Sequence, residues 1–169
     1  MMHSALKAVD SVSHWVGSAA RWLVVALIAV AVYDIISRYV FNAPAIWAYE
    51  TSTMLGGALY ALGWAYCQVH DSHIRVDIFY GRLSQRGKAI LDIVLSLVFF
   101  FPLFTYLLRT SFWAMVDAWR RGEVMQETFW YPPSGPFRTV IVIGVFLLFV
   151  QFIATFIRNI HIVAKGRLL

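Results

Sequence analysis

Three ionisable residues stand out within or beside strongly apolar stretches of the sequence: Asp34, Arg38 and Glu50. Asp34 and Arg38 are four residues apart, the spacing at which opposite charges meet on one face of a helix. Glu50 follows a short connection that brings it near Arg38 if the flanking stretches are antiparallel helices. Because ionisable groups in a bilayer are costly unless they are paired, this spacing predicts an Asp34–Arg38–Glu50 cluster near one membrane boundary.

The predicted cluster supports two interpretations. In one, Glu50 is the membrane carboxylate of a free-standing four-helix, proton-coupled exporter. In the other, the three side chains form a structural ion cluster that locks the first two helices together. A carboxylate beside an arginine is held in its charged form, which favours the structural interpretation over proton uptake.

Other candidates for chemistry are weak. His70, Asp71, His73 and Asp77 lie close together but follow no firm metal-ligand pattern. All five histidines fall in tails or connections, where no pair can hold a haem between facing spans. The sequence has no P-loop, G-x-S-x-G or H-E-x-x-H signature. We therefore expect no enzyme activity, no metal site and no cofactor in this chain.

Four long apolar segments position these residues. The 169-residue chain is 60% hydrophobic and 14% charged, whereas soluble domains are about 25% charged. A helix of about 20 apolar residues crosses a bilayer core of about 30 Å. The segments that meet this length are 22–41, 46–69, 89–113 and 137–157. The sequence thus predicts an all-α integral membrane protein, with residues 1–169 forming a single membrane domain of four transmembrane helices.

An amphipathic stretch over about residues 2–18 precedes the first span. Its apolar residues recur at helical spacing, whereas Lys7 and Asp10 occupy other faces; the apolar positions are Met2, Leu6, Val9, Val12 and Val16. This pattern predicts an N-terminal interfacial helix on the membrane surface. No small-residue cleavage site follows the first apolar run, so we expect an uncleaved anchor.

The basic residues indicate the membrane orientation. Nine of the 14 Lys and Arg residues lie in the N-terminal segment, the 70–88 connection and the C-terminal segment. The positive-inside rule therefore predicts an inner-membrane protein with both termini in the cytoplasm. Because these residues lie between apolar runs and not on one face, we expect no nucleic-acid partner despite the pI of about 9.6.

Two further patterns concern helix packing. Asn42, Pro44 and Trp47 mark a tight hairpin turn between the first two spans. Small residues recur at every fourth position of the second span, which allows another helix to approach closely; these are Thr53, Gly57, Ala61 and Ala65. Whether the approaching helix belongs to this chain or to another subunit is open. Pro102 predicts a bend in the third span, and Ser96 and Gln151 are expected to donate hydrogen bonds between helices.

Three stretches carry a resemblance to one family. Residues 38–50 read RYVFNAPAIWAYE, which is similar to a hairpin of the form R-x-x-F-N-x-P-x-x-W followed by an acid. Residues 73–77 read HIRVD, and residues 136–151 resemble a characteristic last span. The chain resembles the small DctQ-type membrane subunit of tripartite ATP-independent periplasmic (TRAP) transporters. Many members have two acids after the tryptophan, where this chain has Tyr49 and Glu50.

The resemblance implies a scaffolding role. A DctQ-type subunit binds a large multi-span DctM-type subunit, which carries substrate and sodium, within the lipid bilayer. A soluble DctP-type periplasmic protein delivers the cargo, usually an organic anion. The connection at roughly 114–136 would then help to dock that binding protein through exposed charged residues: Asp117, Arg120, Arg121, Glu123 and Glu127.

Overall fold

A computed structural model of the chain describes residues 2–70 and 84–165. Helices account for nearly all regular structure in these residues. The α-helices are α1 (Met2–Ala20), α2 (Trp22–Tyr39), α3 (Ala48–Val69), α4 (Gln85–Leu95), α5 (Phe101–Arg121) and α6 (Ser134–Lys165). A π-helical segment, Ser96–Phe100, joins α4 to α5. One isolated antiparallel bridge links Val124 and Pro133. The predicted all-α class is confirmed.

Three helical runs within the described residues are long and apolar enough to cross a membrane. They are Leu6–Tyr39, Gln85–Arg121 and Ser134–Ala164. The 22-residue α3 also has the length, but it contains Glu50, Gln68 and several small residues. Helices α1, α2 and α6 all pack against α3. A helix shielded in this way needs less apolar surface than one that faces lipid on all sides.

Close backbone approach explains the packing of α3 against α6. Ala61 and Ala65 of α3 are buried, with 1% and 0% of their surface exposed. A Cβ atom at Gly144 of α6 would lie 2.5 Å from the carbonyl oxygen of Ala61, and one at Gly57 would lie 2.7 Å from the Phe137 ring. The two helices can meet at this distance because glycine has no side chain.

The turn between α2 and α3 follows the chemistry of its residues. Asn42 has a φ of 51°, a left-handed conformation that asparagine tolerates better than most residues. The Ala43 N–H donates to the Ser37 carbonyl at 3.0 Å, and α3 begins at Ala48 after Pro44. The ring of Trp47 lies 5.3 Å from that of Tyr33 on α2. The three predicted turn residues thus lie in the connection between two contacting helices.

A single residue separates α1 from α2. Arg21 has helical dihedral angles, and its N–H donates to the Gly17 carbonyl at 3.2 Å. The N-terminal amphipathic stretch is therefore helical and runs almost directly into the first span. Its buried residues Leu6, Ser13 and Ala20 lie in a helix that contacts α3 and α6.

The third apolar segment forms one helical run from Gln85 to Arg121, including the π-helical segment. Pro102 has no N–H to continue the ordinary ladder, and the π-helical segment lies immediately before it, with the Phe101 N–H bonded to the Ser96 carbonyl. The helix stops at Gly122, whose φ of 63° suits a glycine C-cap. The connection therefore begins at residue 122, later than the predicted 114, because the helix continues beyond its apolar part.

Candidate functional site

The side chain of Glu50 is buried at the beginning of α3, with 0% of its surface exposed. Its Oε1 accepts a hydrogen bond from the backbone N–H of Thr128 at 2.8 Å. Thr128 lies 78 residues further along the chain, in the connection between α5 and α6. Glu50 therefore holds this connection against the first turn of α3.

The connection is folded into a hairpin, which we call the 122–133 hairpin. The Met125 N–H donates to the Pro132 carbonyl at 2.8 Å, and the Ser134 N–H donates to the Glu123 carbonyl at 2.9 Å. Arg138 of α6 contacts the Glu123 carboxylate at 2.5 Å and also donates to the Ala114 carbonyl at 3.1 Å. These bonds fix the base of the hairpin to both neighbouring helices.

The far end of the 122–133 hairpin presents three consecutive aromatic residues. Phe129 is 84% exposed, and Trp130 and Tyr131 are about half exposed. Tyr131 has a φ of 50°, and the Trp130 N–H donates to the Thr128 hydroxyl at 3.3 Å. The residue held by Glu50 is thus directly followed by an exposed aromatic tip.

The structure brings together two of the three residues in the predicted ion cluster. Arg38 Nη2 lies 2.9 Å from Asp34 Oδ2, and the Arg38 side chain is 55% exposed. Glu50 is not part of this pair: its Oε1 is bonded to Thr128, and its buried Oε2 has no hydrogen-bond partner among the described residues. Glu50 thus contacts the 122–133 hairpin, and a functional role for the cluster stays a prediction.

The charged residues predicted for docking fall into two groups. Three lie near the end of α5, where Asp117 is half-buried and the two arginines are exposed, and two lie in the hairpin. Glu123 is paired with Arg138, whereas Glu127 is exposed. The predicted set is thus distributed over a helix end and a loop: Asp117, Arg120, Arg121, Glu123 and Glu127.

The small-residue face of α3 is directed largely towards this chain's own α6. Gly57 faces Phe137, Ala61 faces Gly144, and Ala65 is buried. Thr53 is exposed instead, and its hydroxyl donates to the Tyr49 carbonyl at 3.0 Å.

A second polar cluster joins α1 to α6. Ser13 donates to Gln151 Oε1 at 3.0 Å, and Gln151 Nε2 donates to Asp10 at 2.8 Å. Arg158 pairs with the other oxygen of Asp10 at 2.5 Å. The sequence predicted a hydrogen-bonding role for Gln151 but not its two partners, Ser13 and Asp10, nor the pairing of Asp10 with Arg158. Separations of up to 148 residues hide these contacts, and the only signal was an acid on the amphipathic helix with an arginine after the last span.

These elements can be compared with known families. A family model described as tripartite ATP-independent periplasmic transporters, DctQ component, matches residues 27–161. The chain belongs to the DctQ family. No curated protein matches it. The match includes α3 with Glu50, the 122–133 hairpin and most of α6, so the features described above lie largely within the family region.

DctQ membership confirms the resemblance seen in the sequence. The chain is the small membrane component of a TRAP transporter, and its long apolar helices make it a multi-pass protein of the bacterial inner membrane. DctQ is a transporter component and not an enzyme family. The H-x-R-V-D run at 73–77 lies outside the described residues. So do Asp71, His73 and Asp77 of the group that was considered above as a possible metal site.

Proposed function

We propose that the chain scaffolds a large, sodium-coupled membrane subunit for uptake of an organic anion delivered by a periplasmic binding protein. The observation that carries this proposal is the DctQ match over residues 27–161. The helical run Gln85–Arg121 supports the proposal, because no residue in its most apolar part is buried within the chain. An extended apolar helix face can bind lipid or another subunit, and a TRAP component requires subunit contact.

Four membrane crossings form part of the proposal. Three crossings correspond to the long apolar runs, and α3 would be the fourth, shielded by its neighbours. The tight turn at residues 40–47 makes α3 run back beside α2. With the basic segments on the inside, both termini lie in the cytoplasm and α1 lies at the cytoplasmic membrane interface.

The proposed orientation places the 122–133 hairpin on the periplasmic side. Its exposed aromatic tip and the neighbouring charges Glu127, Arg120 and Arg121 would then face the binding protein. Aromatic residues and arginine are enriched at protein interfaces. The Glu50–Thr128 bond would hold the tip in place for this contact.

The exporter alternative is not favoured. Glu50 is completely buried and bonded to the backbone of a connecting hairpin. An alternating carrier needs a carboxylate that reaches each side in turn, whereas this one anchors a loop at one end of α3.

Reconstitution separates the two functions. Proteoliposomes that contain this chain, the large subunit and the binding protein should take up substrate along a sodium gradient, and vesicles that lack any one of the three should not. Proton-driven export by vesicles that contain this chain alone, abolished by Glu50→Gln, would establish the exporter instead.

A further inference from the structure

We propose that a groove between α5 and α6 binds a transmembrane helix of the large subunit, and that an aspartate or glutamate of that helix pairs with Arg109. This inference rests on the proposed function, because it takes the large subunit as the partner. The groove has a volume of about 590 Å³, and Arg109 lies in its wall.

Arg109 carries a charge on the apolar run Gln85–Arg121. Its side chain is exposed, and among the described residues its guanidinium has no hydrogen bond or ion pair. A guanidinium stays charged in proteins, and a charge at membrane depth is costly unless it is paired. Arg109 therefore requires an anionic partner that the described residues do not supply.

The rest of the groove is strongly apolar. The other described residues that line it are uncharged, and three of them are large apolar side chains that are about half exposed: Phe112, Ile143 and Phe146. Apolar grooves at membrane depth can hold acyl chains or a neighbouring helix. The single charge of Arg109 is the feature that distinguishes between these occupants.

The depth of the groove favours a protein carboxylate over a lipid phosphate. The groove residues of α6 lie between 142 and 147, about 8–15 Å from the start of the predicted span 137–157. Cα–Cβ bonds tilt towards the N-terminus of a helix, so the bond at Arg109 points away from the membrane boundary at the 122–133 hairpin. A phosphate at that boundary lies in the opposite direction, whereas a carboxylate on an adjacent helix can lie at the depth of the guanidinium.

A second copy of this chain offers no suitable acid in the described parts of its predicted spans. Asp34 is paired with Arg38. Glu50 is completely buried, and Asp92 already has an interaction of its own. The carboxylate therefore belongs to a different chain, and the large multi-span subunit is the membrane partner in the proposed assembly.

The apolar surface continues from the groove across α6. Phe146 and Leu147 also line a second groove, of about 270 Å³, between α6 and α1. Val12, on the α1 side of this second groove, is about half exposed. The two grooves adjoin at Phe146 and Leu147 and form one surface over three helices. Such a surface suits a partner helix, which has a diameter of about 10–12 Å.

Photo-crosslinking in native membranes identifies the occupant of the groove. A benzophenone amino acid is introduced at position 146, in the groove, and in a separate chain at position 160, outside it. We expect position 146 to crosslink to the large subunit, and position 160 to do so at least fivefold less. A crosslink from position 146 to lipid, to a second copy or to another part of the same chain would overturn the proposal.

Co-purification of the large subunit with the tagged full-length chain tests the ion pair. Arg109→Ala should lower the amount of large subunit recovered about tenfold, because it leaves a carboxylate unpaired in the interface. Arg109→Lys keeps a positive charge and should retain most of the recovery. Arg109→Glu should abolish uptake, and suppressor mutations that restore uptake should replace one acid of the large subunit by lysine or arginine.

Two isoleucines provide a matched control that does not depend on the arginine variants. Ile143 and Ile160 both lie on α6 and are both 46% exposed, but only Ile143 lines the groove. Ile143→Ala should lower recovery of the large subunit several-fold, and Ile160→Ala should not. Unchanged recovery with both Arg109→Ala and Ile143→Ala would overturn the groove and leave the proposed function intact. If the unchanged chain itself recovers no large subunit, the proposed function and this inference both fail.

Discussion

Gly144 is a residue at which even a methyl group has no room. A Cβ atom there would lie 2.5 Å from the Ala61 carbonyl oxygen. Gly144→Ala should therefore separate α3 from α6 and lower the free energy of unfolding by about 1–3 kcal/mol. The measurement is the thermal midpoint of the purified chain in detergent, followed by size-exclusion chromatography after heating.

Gly63 provides the matched control for this substitution. It also lies in a helix, but a Cβ atom there would meet no atom of the described residues within 4 Å apart from its chain neighbours and its own helix backbone. Gly63→Ala should leave the midpoint unchanged or raise it, because alanine favours helix. Equal losses in the two variants would show that Gly144 does not form the contact between α3 and α6.

Glu50 is predicted to hold the 122–133 hairpin and not to carry protons. Glu50→Ala removes the acceptor of the buried Thr128 N–H, whereas Glu50→Gln keeps a carbonyl oxygen at that position. Amide hydrogen exchange in the hairpin should become about tenfold faster in Glu50→Ala. Exchange in Glu50→Gln should remain close to that of the unchanged chain.

The exposed Glu127 is the control for this experiment, because it lies in the same hairpin without a hydrogen bond to α3 among the described residues. Glu127→Ala should not change exchange at Thr128. Unchanged exchange in Glu50→Ala would contradict the anchoring role.

Sequence reasoning succeeded for local contacts at the residue scale. The intrinsic conformational preferences of Asn42 and Pro44 indicated the turn in which they lie. The i,i+4 spacing of Asp34 and Arg38 indicated their ion pair. Glu50 was correctly singled out as an unusual acid, but its contact is the Thr128 N–H. Any residue can present a backbone N–H, so no side-chain pattern in the sequence indicates this contact.

At the scale of elements, the polar cluster between α1 and α6 is predicted to attach the N-terminal helix. Asp10→Asn and Arg158→Met should each destabilise α1, and the double variant should lose less than the sum. The interaction energy should be about 0.5–3 kcal/mol, the range for residues within one hydrogen-bond network. Amide hydrogen exchange across α1 in the four members of the cycle measures it.

The pair Asp34–Arg38 is the comparison for that cycle. It lies within one helix, and the arginine side chain is 55% exposed. Its coupling energy should be about 0.5 kcal/mol or less. A coupling energy for Asp10–Arg158 that is no larger than this would show that the pair does not hold α1.

Helix type and approximate position followed from apolar periodicity, but helix ends did not. The α5 helix continues through a charged segment to Gly122, because arginine favours helix without any apolar face and glycine commonly follows the last helical residue. Pro102 indicated a disturbance, and the structure shows a change of hydrogen-bond register to a π-helical segment before it. The segment's Phe100 stacks on Phe152 of α6, a contact that apolar periodicity does not describe.

At the scale of the whole molecule, the proposed topology places the N-terminal helix and the 122–133 hairpin on opposite sides of the membrane. The lone Cys67 is first replaced by alanine, and single cysteines are then introduced as Ser4→Cys and Glu127→Cys. In intact cells with a permeable outer membrane, a membrane-impermeant maleimide should label position 127 and not position 4. Labelling of position 4 before the cells are lysed would reverse the orientation.

The sequence predicted the membrane class and the family of the molecule because both depend on composition and on motifs contained in this chain. Substrate choice and sodium coupling belong, in the proposed assembly, to other chains. The most apolar part of Gln85–Arg121 is not buried within the chain, as expected if lipids or the proposed partners cover it.

Isolation from native membranes is the sharpest test of whether this chain works as a subunit. The chain is tagged at its chromosomal locus, extracted in a mild detergent and purified, and its partners are identified by mass spectrometry. We predict stoichiometric recovery of one large multi-span membrane protein, with a periplasmic binding protein recovered in addition when substrate is present. Recovery of the chain alone, from cells in which deleting it leaves organic-anion uptake intact, would show that it is not such a subunit.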